Sequence, residues 1–168
     1  MFVPFESLPD RARLWVYQSN RKFTSAETDI ISETLSAFSN SWNAHGVPLL
    51  ASFEIRMEQF IILAVDEASN SASGCSIDDS VRTIKSLGDT LGIDLFDRSL
   101  IAFNKQGEDV LTIPLGQLKT AYENGIWNHE SVFINNLVAN KKEMQNNFLV
   151  PAASTWLKRY LPHQKIAH

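Results

Sequence analysis

Several things that whole classes of protein depend on are scarce in this sequence. It has one cysteine, Cys75, in 168 residues. A lone cysteine forms no internal disulfide, which excludes the stapled secreted scaffold and points to a reducing, cytoplasmic setting. Charged residues make up only 20% of the chain, 15 basic against 19 acidic, for a net charge of −4. Residues 1–50 contribute −1 (4 basic, 5 acidic), residues 51–100 contribute −5 (4 and 9) and residues 101–168 contribute +2 (7 and 5). No stretch has the basic density that neutralising a phosphate backbone requires, so nucleic acid is not an expected partner. Long apolar runs are missing too. The longest, Phe60–Val65, has six residues, against the roughly 20 that cross a bilayer. Residues 1–10 contain Glu6, Asp10 and two prolines, so neither a leader peptide nor membrane insertion is expected.

Cofactor signatures are equally sparse. The seven glycines (46, 74, 88, 92, 107, 116 and 125) give neither G-x-x-x-x-G-K-[ST] nor G-x-G-x-x-G, the spacings that cradle phosphates. The four histidines, His45, His129, His163 and His168, contain no H-x-x-x-H pair, and no second cysteine completes a zinc cluster. A G-x-S-x-G nucleophile elbow is absent. No cofactor and no metal is expected.

What is present reads as one ordinary domain over 1–168. Ten Phe and four Trp supply core material, and a chain of this length buries about 70% of its unfolded surface. Leu14–Tyr17 reads as a strand, apolar on both faces. Thr24 and Glu27 have capping-box spacing and open a helix with Ile31, Leu35, Phe38 and Trp42 on one face, ended by Gly46 and Pro48. Residues 49–58 alternate with period two, as a half-exposed strand does. After a turn near Glu58-Gln59, the wholly apolar Phe60–Val65 reads as a central strand. Ser76 and Asp79 propose a second capping box, for a helix closed by Gly92. Two strands follow at Leu100–Phe103 and Asp109–Ile113, around Gly107.

The order strand, helix, strand, strand, helix, strand predicts an α+β fold with a ferredoxin-like β-α-β-β-α-β core over about 12–113 and one added strand. Residues 114–162 read as helical, in the pieces 117–124, 131–148 and 151–161. They would cover the sheet or form a homodimer contact.

Chemistry could concentrate in Ser73–Ser80 (SGCSIDDS). Backbone N–H groups from Ser73 to Ile77 at a helix start could bind an anion, with Gly74 allowing close approach, and the same field favours a Cys75 thiolate. The plainer reading makes Ser76 a cap and Cys75 the filler of a small buried space. A cysteine-phosphatase loop would need Arg at position 81, which is Val81. Gln18 and Arg21, after the first strand, could face a polar or anionic group, or could be a hydrated loop. His45, after Trp42, reads as a proton carrier or, better, as a helix C-cap. Arg98 joins the possible ligand patch formed by Gln18, Arg21, Trp42, Ser73, Gly74 and Ser76. Trp127 reads as a core anchor or a pocket wall.

In W-x-Y-Q-x-x-R (Trp15, Tyr17, Gln18, Arg21), W-x-x-H-G (Trp42, His45, Gly46), S-G-C-S-I-D (Ser73 to Asp78) and F-D-R (Phe96, Asp97, Arg98), the chain resembles a family of small, uncharacterised bacterial proteins. The resemblance spans nearly the whole chain. Members of that family are often labelled "ABC transporter ATPase", and the resemblance implies that label without a mechanism or site residues.

Three functions are therefore expected, in order of preference. The first is a soluble cytoplasmic binding or interaction module, without catalytic activity, for a protein or small-molecule partner. The second is a small enzyme or redox-responsive protein using Cys75, with Gln18, Arg21, His45 or Arg98 beside it. The third is the transporter-associated ATPase of the label.

Overall fold

The computed structural model describes residues 1–162. Its elements, in chain order, are β1 (Arg13–Gln18), α1 (Ser25–Ser41), β2 (Asn43–Ala44), β3 (Val47–Pro48), β4 (Leu50–Arg56), β5 (Phe60–Asp66), α2 (Gly74–Leu91), β6 (Leu100–Asn104), β7 (Val110–Pro114), α3 (Leu118–Glu123), β8 (Val132–Ile134), α4 (Lys141–Asn147) and β9 (Leu149–Pro151). The fold is α+β, with antiparallel sheets. Among the described residues, 1–97 and 136–146 form one compact unit, and 98–135 and 147–162 form a second.

The first unit is built around β5. Every residue from Phe60 to Val65 is fully buried, as expected of a strand paired on both sides. β5 lies between β1 and β4 in the order β1-β5-β4, antiparallel to each, with Trp15 opposite Leu63 and Phe53 opposite Leu63 from the other side. Ile61 and Leu63 point to the helices, where they meet Ile31 and Leu35 of α1 and Ile84 and Leu87 of α2. Side chains of this size each contribute roughly 1.5–3 kcal/mol when removed from water. Phe60, Ile62 and Ala64 fill the opposite face.

Local signals explain the helix boundaries. Thr24 Oγ1 accepts from Glu27 N (3.2 Å), while Thr24 N donates to Glu27 Oε2 (2.8 Å), the reciprocal box that starts α1. α1 ends at Trp42, earlier than Gly46 and Pro48 predict. His45 (φ 54°) and Gly46 (φ 79°) are instead the two central residues of the tight β2–β3 hairpin. His45 is therefore a hairpin-turn residue, not a helix cap. Met57 (φ 52°) and Glu58 (φ 51°) make a similar left-handed turn between β4 and β5.

The strand order β1-β5-β4 is that of the first three strands of a β-α-β-β-α-β domain. The next strand, β6, does not return beside β1. It pairs with β7 and β8 in the second unit's sheet, ordered β7-β6-β8-β9. The edge of β1 is occupied by the segment before α4. Leu14 N donates to Ala139 O (2.9 Å), and Lys141 N donates to Ala12 O (3.0 Å).

The chain after residue 130 is the largest departure from the sequence reading. Residues 131–148 do not form one helix. Val132–Ile134 pair with β6 and β9, and only Lys141–Asn147 is helical. Residues 151–161 are not an α-helix begun by Pro151 but two short 3-10 turns, Ala152–Ser154 and Trp156–Tyr160. The second unit's core is aromatic. Phe103 stacks on Trp127 at 5.4 Å, and the Trp127 indole donates to Leu118 O (2.8 Å). Trp127 is thus the core anchor rather than a pocket wall.

Candidate functional site

α2 has two chemically different ends. At 1.5 Å per residue its 18 residues span about 27 Å, so groups at opposite ends do not share a cleft.

At the N-terminal end, the cap is Ser73 rather than Ser76. Ser73 Oγ accepts from Ser76 N (3.2 Å), and Ser73 N donates to Ser76 Oγ (2.7 Å), so the box runs from Ser73 to Ser76. The Ser76–Asp79 reading placed it one turn late because serine at N3 can play the part usually given to glutamate. Ile77 N is also taken, by Ser73 O at 2.9 Å. Just before the cap, Ala72 N donates to the Glu67 carboxylate (3.0 Å). The amides from Ser73 to Ile77 therefore do not converge on an open anion site, since three of them are already bonded within the loop. Open space surrounds Gly74, with nothing within 4 Å of where its Cβ would be. Cys75 is exposed, which overturns the expectation that it fills a small buried space. Trp42 is buried, and its indole N–H donates to Ser76 O (2.8 Å), tying the end of α1 to the first turn of α2.

The remaining sequence candidates are dispersed. Gln18 is buried, and its Oε1 accepts from Asn136 Nδ2 (3.1 Å). Arg21 clamps Glu27 with two bonds, 2.9 and 2.8 Å, so its guanidinium serves the α1 cap. That hydrogen bond, followed by the amide of Thr24, lowers the Glu27 carboxyl to about 2. His45 is exposed on its hairpin. Arg98 is exposed and belongs to the second unit. Within the first unit, Arg21 reaches Leu91 O (3.5 Å) at the C-terminal end of α2, whereas Trp42, Ser73, Gly74 and Ser76 gather at its N-terminal end.

The C-terminal end of α2 carries a hollow of about 770 Å³. Its wall is one face of α2, with Val81, Lys85, Gly88 and Asp89, and its far side is the loop from Gly92 to Phe96. Gly92 adopts the left-handed conformation (φ 65°), ending the helix and turning the chain back. Ile93 N then donates to Gly88 O (3.0 Å). This fold-back needs Gly88, because a Cβ there would lie 2.9 Å from Ile93 O. A second loop pins the first: Asn20 N donates to Asp94 O (3.2 Å), and Asp94 N donates to Asn20 Oδ1 (3.3 Å). Asp94 Oδ1 in turn accepts from Phe96 N (2.8 Å). Phe96 is 43% exposed and meets the Tyr17 ring edge-on at 5.5 Å. Val81 is 37% exposed across the hollow.

Sequence reasoning missed this hollow. The signal was there: Gly88 and Gly92 stand four apart on one helix face, followed by Ile93, Leu95 and Phe96 around Asp94. A groove of about 580 Å³ lies between α1 and α2, with Thr34, Phe38, Asp79, Thr83 and Ser86. Its hydroxyls are partly spent, as Thr83 Oγ1 donates to Asp79 O (2.9 Å).

Among the described residues, no three His, Cys, Asp or Glu side chains are placed to hold a metal ion, and His163 and His168 lie outside those residues. No helix among the described residues is long and apolar enough to cross a membrane. Comparison with family models, with curated proteins and with solved structures finds no match for the chain.

Proposed function

We propose that this protein is a binding module that receives an apolar side chain of a partner protein in the hollow at the C-terminal end of α2. The observation that carries this reading is that an exposed aromatic ring, Phe96, and an exposed Val81 line one depression whose loop is hydrogen-bonded to Asn20. Exposed apolar groups beside a hollow of this size are the usual makings of a side-chain pocket. The partner segment carries positive charge. The hollow itself is lined by Asp89 and Asp94 against Lys85, a net −1, so a cationic segment is favoured over an anionic one. The first unit is, in this reading, a ferredoxin-like domain whose fourth strand has been replaced beside β1 by residues 139–142.

The experiment compares acetyl-Phe-Arg-amide with acetyl-Phe-Glu-amide by saturation-transfer NMR, for the native protein and for Phe96→Ala. Stronger transfer to the arginine peptide, weakened by salt and lost in Phe96→Ala, is the expected result. Equal transfer to both peptides, or transfer unchanged in Phe96→Ala, overturns the proposal. Cytoplasmic residence and membership of the family resembled above are part of the same proposal. The ATPase label is not adopted, because no phosphate loop exists to carry it.

A further inference from the structure

Lys141 opens α4 and is 92% buried, with its ammonium group among backbone carbonyls. Nζ donates to Phe5 O (3.1 Å), Glu6 O (2.9 Å) and Leu8 O (2.5 Å). The Phe5 ring lies beneath it, 5.6 Å from its centroid. All three oxygens come from the short 3-10 turn at Phe5–Ser7 and the residue after it. Within the turn Phe5 O also accepts from Leu8 N (3.2 Å), and an ammonium with three donors reaches it together with Glu6 O and Leu8 O. Three carbonyl dipoles and an aromatic face also describe a site for a compact monovalent cation.

The lysine is held in place from its own side. Asn140 Oδ1 accepts from Glu143 N (2.8 Å), and Ala139 N donates to Glu143 Oε2 (2.8 Å), fixing the first turn of α4. The segment that supplies the carbonyls is anchored at both ends. Phe2 bridges to Ala51 of β4, and Val3 N donates to Ala51 O (2.9 Å). At the other end, Ala12 leads into β1 and its carbonyl accepts from Lys141 N (3.0 Å). Since β4 and β1 are opposite edges of the sheet, residues 2–12 cross its whole width and bury Phe5, Leu8 and Ala12 on the way.

We infer that the carbonyls of Phe5, Glu6 and Leu8 form a monovalent-cation site that the chain fills with its own Lys141 ammonium, and that this ion closes residues 2–12 as a strap across the sheet. With the side chain cut back, a free ammonium or potassium ion takes its place. With the cavity filled by an uncharged chain, none does.

The test is thermal unfolding of the native protein, Lys141→Ala and Lys141→Met in ammonium, potassium and choline chloride at equal ionic strength. Both variants are expected to melt roughly 5–10 °C lower than the native protein in choline. Ammonium or potassium should then raise the melting point of Lys141→Ala in a saturable way, leaving Lys141→Met and the native protein unchanged. A Lys141→Ala protein that is as stable as the native one, or that ignores the identity of the cation, overturns the inference. Should the variants not fold, the native protein labelled with ¹⁵N-lysine decides the matter. A single ammonium resonance protected from solvent exchange is expected, and no protected resonance refutes the cage.

Discussion

Gly88→Ala is the most incisive perturbation of the hollow, because two opposing effects of known size meet at one atom. Gly88 lies within α2, and alanine there gains about 1 kcal/mol in helix propensity. The new Cβ, however, would lie 2.9 Å from the carbonyl oxygen of Ile93, a distance that carbon atoms in proteins do not tolerate. The loop cannot simply retreat. Ile93 N is bonded to Gly88 O at 3.0 Å, Asp94 is paired with Asn20 on the far side, and Ile93 and Leu95 are buried. Overpacking against such a fixed neighbour costs roughly 1–3 kcal/mol. The net expectation is a loss of about 0–2 kcal/mol where an ordinary helix position would gain. Ser86→Ala, at an exposed position of the same helix, supplies the comparison and should gain a few tenths of a kcal/mol. Urea unfolding of the two variants beside the native protein gives the answer. A Gly88→Ala protein stabilised by about 1 kcal/mol would refute the claim that the fold-back against α2 is close and rigid.

Other expectations follow from the same contacts. Glu27 is held at about 2, below its usual 4.5, by Arg21 and the Thr24 amide, so its contribution to stability is complete above 4.5 and lost as the pH falls through about 2. Urea midpoints of the native protein should fall across that window more steeply than those of Glu27→Gln, and parallel curves would contradict the Arg21–Glu27 clamp. Trp42→Phe removes the bond to Ser76 O and part of the ring packing with Phe38 and Trp15. It should cost about 1.5–3 kcal/mol by denaturant unfolding, and a loss within experimental error would show that α1 and α2 are not tied there. Cys75 is exposed, so iodoacetamide should label it in the folded protein at a rate that unfolding does not greatly increase. Labelling only after unfolding would restore the buried-filler reading.

The helical and strand periods of the first unit could be read from residue spacing because each element makes its own pattern. Thr24–Glu27, a strand over Leu50–Arg56 and the apolar Phe60–Val65 are local signals that the structure keeps, although the burial of β4 does not alternate. What the sequence did not reveal is non-local. Leu100–Asn104 has the same appearance whether it returns beside β1 or joins another sheet, and in the structure it pairs with β7 while residues 139–142 take the edge of β1. Residues 131–148 misled for a different reason. Val132–Ile134 are three residues with strand preference, too few to stand out, and the helix that follows is announced only by Asn140 and Glu143. The candidate site suffered most. Polar residues near chain reversals, such as Ser73, Ser76, Arg21 and His45, turned out to be spent on caps, clamps and turns. The hollow depends instead on an absent side chain, that of Gly88, whose meaning appears only once Ile93 folds back over it.

The central claim is that partners dock at the C-terminal end of α2. Mapping amide shifts of the ¹⁵N-labelled protein during titration with acetyl-Phe-Arg-amide tests it most directly. The expected perturbations fall on Val81, Gly88, Gly92, Ile93 and Phe96, with Cys75 and Ser76 at the other end of the helix unmoved. Shifts centred on Ser73–Ser80, or none at saturating peptide, would contradict the account.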